Sequence, residues 1–334
     1  MIEIVDKYSR PLNYLRISVT DRCNYRCSYC MPKEIFNNNY KFLKKNDLMT
    51  FEENLMVIEA LTSLGLNKVR LTGGEPLLRK NIEILISNII SIKGINEVSL
   101  TTNGSLLSND KINQLYDHGL QSITISLDSL NDQTNKRINP FHLNDIVIES
   151  IENASKVFEK VKVNFVVIKG VNESEIINVI KKFKSLKIQL RFIEFMDVGQ
   201  TNNWNRDNVI SSEQIMNTVK EVYQVDKIIS PKNSTAEIWS VSGENIQVGT
   251  ISSISKPFCY SCNRGRLSAD GKFFTCLFSS HGDDILKLIR SGANKKTLTD
   301  HFNKIWTNRA DKYSIDRNSL VKEKSKIEMS YIGG

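Results

Sequence analysis

The sequence lacks a hydrophobic run long enough to cross a membrane or to act as a secretion signal. Its most apolar stretch, Ile82–Ile92, is short and is interrupted by Glu83. Charged side chains also occur early in the chain, so we expect a cytoplasmic protein with no membrane partner. Histidine is scarce, with 4 in 334 residues. The content of 40% hydrophobic and 25% charged residues is typical of an ordinary folded core and not of a disordered or fibrous chain.

Negative charge is in deficit, with 37 Asp and Glu against 45 Lys and Arg, a formal net charge of +8. The excess positive charge is spread along the chain and not gathered in one tail. It suits a nucleic acid, an anionic membrane surface or a small polyanion such as a nucleotide, and charge alone does not choose among them. No basic stretch interleaved with aromatic residues is evident, so we expect no nucleic-acid partner.

No cysteine stands alone: the six fall into two tight groups. The first triplet is Cys23, Cys27 and Cys30, and the second triplet is Cys259, Cys262 and Cys276. Scattered core thiols would not be expected to group in this way. Disulfides are disfavoured in a reducing cytoplasm. The pattern therefore predicts two metal sites.

Each triplet is one ligand short of a structural zinc site, which needs four. His281, five residues beyond Cys276, could complete a zinc site at the second triplet, whereas no histidine lies near the first. Thiolates also suit iron–sulfur clusters, and three thiolates on a four-iron cluster leave one iron free to bind a small molecule. We expect an iron–sulfur cluster at each triplet, with zinc as the competing assignment.

Short β-rich runs alternate with longer helical runs from residue 15 onward. The predicted strands are Leu15–Val19, Val69–Thr72, Val98–Thr101, Ile123–Ser126, Val163–Val167 and Leu190–Phe195. The segment Asn144–Phe158 is typical of the intervening helices. Six such units predict an α/β fold, a partial (β/α)6 barrel of the TIM type, with an open doubly wound sheet as the alternative. The first triplet follows the first strand, which puts it at the ligand-binding face of a barrel.

The pattern changes near residue 200. A polar segment, Gln200–Asn208, precedes a predicted helix, Ser211–Tyr223. The strand-like pieces that follow are Ala236–Val241, Ile246–Ile251 and Lys272–Cys276. We therefore predict two domains, residues 1–200 and 201–334. The second is a smaller α+β domain that carries the second triplet and faces the mouth of the barrel.

Small and polar residues follow the predicted strands. Gly73 and Gly74 come directly after the second strand, where glycines let the backbone approach a ligand closely, and Pro76 stiffens the exit. Asn103 follows the third strand and Ser126 ends the fourth. These residues are predicted to lie at the same face as the first triplet.

The spacing Cys-x3-Cys-x2-Cys followed by Gly-Gly-Glu-Pro resembles the radical S-adenosylmethionine superfamily. Longer runs resemble one family in it, the GTP 3′,8-cyclases, which act first in molybdenum cofactor biosynthesis. These runs are RISVTDRC at Arg16–Cys23, RLTGG at Arg70–Gly74, RFIEFMD at Arg191–Asp197 and CNRGRL at Cys262–Leu267. The resemblance spans nearly the whole chain.

The resemblance implies roles for individual residues. The first triplet would hold a [4Fe-4S] cluster that binds S-adenosylmethionine, and the second triplet would hold a [4Fe-4S] cluster that meets the guanine ring. The residues lining the S-adenosylmethionine site would be Tyr29, Gly74, Ser126 and Met196. The residues around GTP would be Arg16, Arg70, Thr101, Lys162, Arg191, Arg264, Gly265 and Arg266. The residues with catalytic roles would be Arg16, Arg264, Arg266, Gly333 and Gly334, the last two in a tail that reaches the active site.

The positively charged residues implied for the GTP site are also supported by their positions in the predicted strands. Arg16, Arg70, Lys162 and Arg191 all lie on predicted strands, where an inward-pointing charge is costly unless an anion is bound. Guanidinium groups bind phosphate in a bidentate manner. The family chemistry is a 5′-deoxyadenosyl radical that takes the C3′ hydrogen of GTP, after which C3′ bonds to C8. The protein would orient and shield these groups.

The resemblance also implies partners. These are a low-potential electron donor of the flavodoxin or ferredoxin type, cyclic pyranopterin monophosphate synthase as the recipient of the product, and a second copy of the chain in a homodimer. Three other functions stay open at this point. They are a peptide-modifying radical enzyme with an auxiliary cluster, a nucleic-acid-modifying radical enzyme, and a non-catalytic electron carrier or redox sensor.

Overall fold

The computed structural model describes residues 3–229, 231, 233–317 and 326–333. Within these ranges no helix is both long and apolar enough to span a membrane. Six strands alternate with helices in the first part of the chain. The strands are β1 (Tyr14–Ser18), β2 (Lys68–Thr72), β3 (Glu97–Thr102), β4 (Ser122–Ser126), β5 (Lys160–Val167) and β6 (Ile188–Glu194). The helices are α1 (Phe51–Thr62), α2 (Ile82–Ile90), α3 (Asn109–Asp117), α4 (Asp132–Ile138), α5 (Asn144–Val157) and α6 (Ile176–Phe183).

All six strands are parallel, and each is hydrogen-bonded to the next one along the chain. A doubly wound sheet would reverse its strand order at a switch point, and no reversal occurs here. The prediction of a partial (β/α)6 barrel is therefore confirmed, and the alternative of an open doubly wound sheet is wrong.

The later elements extend the same sheet at both edges. The strands are β7 (Val225–Ile228), β8 (Glu237–Val241), β9 (Gln247–Ile251), β10 (Arg264–Leu267), β11 (Lys272–Phe274) and β12 (Asp283–Asp284). The helices are α7 (Ser212–Lys220), α8 (Ile285–Arg290), α9 (Lys295–Thr307), α10 (Tyr313–Asp316) and α11 (Met329–Ile332). Strand β9 pairs in parallel with β6, and β10 pairs in parallel with β1. The elements after residue 200 thus complete the sheet and do not form a sheet of their own.

The two faces of the barrel strands differ in chemistry because successive side chains point to opposite sides. The outer face packs apolar side chains, among them the fully buried Leu15 and Val69, against helices. In helix α5 the buried Val147, Ile151 and Ala154 recur at helical spacing and cover this face. The inner face is mostly polar and holds the candidate site.

Candidate active site

One cavity inside the barrel is lined by all six cysteines. The thiols are free. The first triplet lies in the segment after β1. The second triplet comes from two segments, the single-turn 3-10 helix Cys259–Ser261 with Cys262, and Cys276 after β11. Two groups of soft donors facing one cavity fit a pair of iron–sulfur clusters.

His281, the candidate fourth zinc ligand, lies in an adjoining cavity and does not line the one with the six thiols. Cys276 and Phe278 line both cavities. In the described part of the chain, no three His, Cys, Asp or Glu side chains form a site for a single metal ion.

The backbone of the first triplet is held by local contacts. Arg26 Nη1 donates to the carbonyl of Cys23 at 2.7 Å, and Arg26 Nε donates to the carbonyl of Phe36 at 2.6 Å. Gly74 lies so close to this segment that a Cβ there would stand 2.2 Å from the carbonyl oxygen of Arg22. A side chain at position 74 would therefore displace the segment that carries the triplet.

Carboxylates surround the first triplet. Glu75 accepts from the hydroxyl of Thr102 and the backbone N–H of Asn103, and burial raises the pKa of Glu75 to about 7. Asp128 accepts from the phenol of Tyr29, and burial raises the pKa of Asp128 to about 6. Glu75 is part of the Gly-Gly-Glu-Pro run, but no role was predicted for it.

All four residues predicted for the S-adenosylmethionine site line this cavity: Tyr29, Gly74, Ser126 and Met196. Ser126 lies at the end of β4, and Met196 follows β6. The carboxyl ends of the parallel strands bring these residues to the same side as the first triplet.

Guanidinium groups dominate the other part of the cavity. The five predicted arginines that line it are Arg16, Arg70, Arg191, Arg264 and Arg266, and Thr101 lines it with them. In the sheet Arg16 stands opposite Arg70 on one side and opposite Arg266 on the other. Like charges at facing positions repel one another and destabilise a sheet.

The arginines have few partners of their own. Among described residues, none of the five forms an ion pair with a carboxylate. The Nε atoms of Arg16 and Arg191 are buried and have no hydrogen-bond partner there. Burial and the charge of Arg266 hold the pKa of Arg16 well below its usual range. Burial also lowers the pKa of Arg191 to about 9. Such a cluster fits a polyanionic ligand.

Two residues of the predicted GTP set do not line the cavity: Lys162 and Gly265. Lys162 lies on β5, where burial and the charges of Arg70 and Arg191 lower its pKa to about 7. Gly265 lies on β10 between the two arginines, and a Cβ there would stand 2.8 Å from the ring of Phe273. Gly265 therefore allows β10 to pack closely against β11.

The end of the described chain enters the barrel. Ile332 is fully buried, and the carbonyl of Gly333 accepts a hydrogen bond from Arg266 Nη1. Gly333 has a φ of +73°, and a Cβ there would stand 2.5 Å from Cγ2 of Thr72. Both the backbone conformation and the lack of space favour glycine at this position. Gly334, predicted with it, lies outside the described residues.

Several residues at the site were not predicted. Glu194, at the end of β6, accepts from the backbone N–H groups of Ser212, Ile254 and Ser255 at 2.6 to 2.8 Å. It therefore anchors the segment that leads to Cys259. Arg10 and Arg309 also line the cavity. Glu194 lies in the run RFIEFMD, but nothing in the sequence singled out the two arginines.

Comparison with known families gives two matches along the chain. Residues 17–183 match the model of the Radical SAM superfamily. Residues 188–315 match the model described as Molybdenum Cofactor Synthesis C. The two matches meet at the start of β6.

Curated relatives match over the full length. A protein of Staphylococcus epidermidis named GTP 3′,8-cyclase is 45% identical over 338 residues, which cover 99% of each chain. One of Staphylococcus aureus with the same name is 40% identical over 339 residues, again 99% of each chain. A crystal structure of Streptococcus suis SuiB bound to S-adenosylmethionine has the same fold, with a TM-score of 0.59 and 16% identity over 96% of this chain and 74% of that one. The chain is a radical S-adenosylmethionine enzyme and belongs to the GTP 3′,8-cyclase family.

Proposed function

We propose that this chain converts GTP to 3′,8-cyclo-7,8-dihydro-GTP, the first step of molybdenum cofactor biosynthesis. One observation carries the proposal. A single cavity holds a thiol triplet near carboxylates on one side, and on the other a thiol triplet near five arginines that pair with no carboxylate among the described residues. This arrangement suits a cluster with a cationic cosubstrate at one side and a polyanionic substrate at the other.

The first triplet would hold a [4Fe-4S] cluster whose free iron binds S-adenosylmethionine. When bound and reduced, such a cluster would supply the electron for reductive cleavage of S-adenosylmethionine to methionine and a 5′-deoxyadenosyl radical. The side chains of Tyr29, Ser126 and Met196 would orient the cosubstrate, and Gly74 would let the segment that carries the first triplet lie against the end of β2. Asp128 would hold the phenol of Tyr29 in place through the hydrogen bond between them.

The second triplet would hold a second [4Fe-4S] cluster facing the guanine ring. Arg264 Nη2 lies 3.2 Å from the sulfur of Cys262, so the same guanidinium would be close to both the cluster and the substrate. Arg16, Arg70 and Arg191 would bind the triphosphate, whose negative charges would replace their missing partners. Lys162, on the neighbouring strand β5, would add a fourth cation.

The tail would act with Arg266, which contacts the carbonyl of Gly333. In this role the two glycines would order the substrate without binding either cluster. The domain boundary would fall near residue 200, with residues 201–334 supplying the second cluster. The proposed partners remain a low-potential flavodoxin or ferredoxin, cyclic pyranopterin monophosphate synthase as the next enzyme, and a second copy of the chain.

The test is anaerobic incubation of the reconstituted protein with dithionite, S-adenosylmethionine and a candidate substrate. We expect 5′-deoxyadenosine and the cyclised nucleotide to form with GTP. We expect little cyclisation with ATP, because adenine lacks the N1–H and 2-amino group of guanine. Equal turnover of ATP and GTP, or turnover of a peptide in place of GTP, would overturn the assignment. A protein that holds zinc without sulfide would overturn the clusters themselves.

A further inference from the structure

The segment that carries two cysteines of the second triplet has little local support. Cys259 and Cys262 are joined by a 3-10 turn of three residues, in which Cys262 N–H donates to the carbonyl of Cys259 at 3.1 Å. A single 3-10 turn does not hold its shape alone, because its hydrogen-bond geometry is poor. Contacts from elsewhere must fix the distance between the two thiols.

Two distant arginines supply those contacts. Arg10 Nη1 donates to the carbonyl of Cys259 at 2.8 Å, and Arg309 Nη1 donates to the carbonyl of Cys262 at 2.7 Å. One arginine precedes the barrel and the other follows helix α9. Each therefore binds the backbone of a different cysteine from a different part of the chain.

A shared carboxylate joins the two arginines. Asp6 Oδ2 accepts from Arg10 Nε and lies 3.4 Å from Arg309 Nη1. The side chains of all three residues are at most 1% exposed. Asp6 Oδ1 also accepts from the backbone N–H of Arg10, which fixes the turn that carries this arginine. We call Asp6, Arg10 and Arg309 the buried clamp.

Further contacts hold the backbone of Arg10 and the guanidinium group of Arg309. Trp306 Nε1 donates to the carbonyl of Arg10 at 2.9 Å, and its ring lies 4.4 Å from the guanidinium carbon of Arg309. Arg309 Nε also donates to the carboxylate of Asp311 at 3.2 Å. Arg10 Nη2 is buried and has no partner among the described residues. Arg10 itself lines the cavity with the six thiols.

A buried ion network of this kind is a poor source of stability, since well-packed apolar residues would serve as well or better. Its contacts instead converge on the two cysteine carbonyls. We propose that the buried clamp positions the second triplet for its cluster and sets the reduction potential of that cluster. Its three members are positioning residues, because they act through the backbone of Cys259 and Cys262. The inference rests on the second cluster of the proposed function.

The test uses the full chain with Cys23, Cys27 and Cys30 replaced by serine, so that iron can bind only at the second triplet. Arg309→Gln and Asp6→Asn are made in this background. Arg290→Gln is the matched control, because Arg290 also joins a carboxylate, that of Glu53, to two backbone carbonyls, but it is 43% exposed and lies outside the cavity. Iron and sulfide per chain, the electron paramagnetic resonance spectrum and the midpoint potential are measured after anaerobic reconstitution.

We expect the parent chain to hold about four irons, Arg309→Gln to lose at least half of them, and the control to lose none. Where the cluster assembles, Arg309→Gln should shift its midpoint potential down and Asp6→Asn should shift it up, because the first removes a positive charge and the second a negative one. Opposite shifts are not expected from structural damage alone. Full iron with an unchanged spectrum and potential in both variants would overturn the clamp.

Two further measurements keep the result interpretable. Arg309→Lys retains the positive charge but not the planar fork, so it is used if Arg309→Gln does not fold, and it should lower iron content with a smaller shift in potential. Cys262→Ser in the same background removes a ligand of the second triplet as well, so its iron content measures nonspecific binding. If the parent chain itself binds no more iron than Cys262→Ser, the second cluster of the proposed function is wrong, which is distinct from failure of the clamp.

Discussion

The two thiol triplets face the same cavity but lie in opposite electrostatic surroundings. Around the first, burial and the charge of Glu75 raise the pKa of Cys23 to about 11. Around the second, burial opposes ionisation of Cys262, yet the charges of Arg264 and Arg309 outweigh it and lower the pKa of Cys262 to about 6. Carboxylates therefore predominate near Cys23 and guanidinium groups near Cys262, whereas burial and the charge of Asp311 raise the pKa of Cys276 to about 12.

This difference matches the two small molecules of the proposed reaction. S-adenosylmethionine carries a sulfonium and an ammonium group against one carboxylate, and GTP carries a triphosphate. A negative environment also holds a cluster at a lower reduction potential, which suits an electron donor, whereas a positive environment suits a cluster that binds an anionic substrate. Each side of the cavity is therefore specialised by its charged neighbours and not by its cysteines.

The largest effect should come from removing one triplet at a time. Cys27→Ser should abolish both cleavage of S-adenosylmethionine and cyclisation of GTP, because the electron enters at the first triplet. Cys262→Ser should abolish cyclisation but leave some uncoupled cleavage. Each variant should retain about four of about eight irons per chain. Iron content and the amount of 5′-deoxyadenosine formed are both measured. Equal loss of cleavage in the two variants would contradict a division of labour between the triplets.

Replacing Arg16, which has no carboxylate partner among the described residues, should weaken GTP binding but stabilise the GTP-free protein. Arg16→Met should weaken GTP binding by about 1.5–3 kcal/mol, the contribution of a hydrogen bond to a charged group. The same change should raise the melting temperature of the GTP-free protein, because it removes a charge that faces two like charges. Calorimetric titration and thermal unfolding with and without GTP measure the two effects. A lower melting temperature without GTP would mean that Arg16 has an unrecognised partner.

A smaller effect should follow from crowding the tail. Gly333→Ala should slow cyclisation about tenfold while iron content and cleavage of S-adenosylmethionine persist, because the new Cβ would meet Thr72. Gly243→Ala is the control: Gly243 has a similar φ, +76°, but nothing lies within 4 Å of the added Cβ. Full cyclisation by Gly333→Ala would show that the tail plays no part in catalysis.

The smallest effect concerns pH. In the free protein the pKa of Lys162 is lowered to about 7, mainly by burial and then by Arg70 and Arg191. A triphosphate binds the charged form, so above about pH 7 binding must take up a proton, and affinity should fall by up to about tenfold per pH unit. Lys162→Arg stays charged and should lose this part of the dependence. The dissociation constant for GTP is measured for the unchanged protein and for Lys162→Arg between about pH 7 and 9. Titration of GTP itself affects both proteins equally and cancels in the ratio of the two constants. A ratio that does not change with pH would exclude Lys162 from the site.

The six barrel strands were predictable because their outer faces are rich in β-branched and other apolar residues. Strand β5 begins three residues before the predicted Val163, since Lys160 and Lys162 obscured its start. Strand β10 was missed altogether. Its sequence, Arg264–Leu267, contains two arginines and a glycine, and only the ligand-facing cavity explains charged residues there.

For the site, sequence spacing and family motifs led to the six cysteines, the arginines and the four residues of the S-adenosylmethionine set, all of which line one cavity. Their individual roles stay predictions. The buried clamp could not be predicted from the sequence, because Arg10 and Cys259 are 249 positions apart and share no motif. Local patterns report which residues follow a strand, but they do not report which distant loops meet.

Because of the buried clamp, the loop that carries Cys259 and Cys262 cannot take its final position until a late part of the chain has been synthesised. The first triplet is held by Arg26, Phe36 and Asn103, all of which leave the ribosome early. The second triplet has to wait for Arg309, more than 170 positions after the end of α4 and 115 after Glu194 closes β6. At about 5 to 20 residues per second, that last interval lasts roughly 6 to 23 seconds. During this time the nascent barrel presents one completed thiol pocket and one unfinished one. Insertion of iron and sulfide should therefore follow the direction of translation, with the first triplet ready before Arg309 can hold the second.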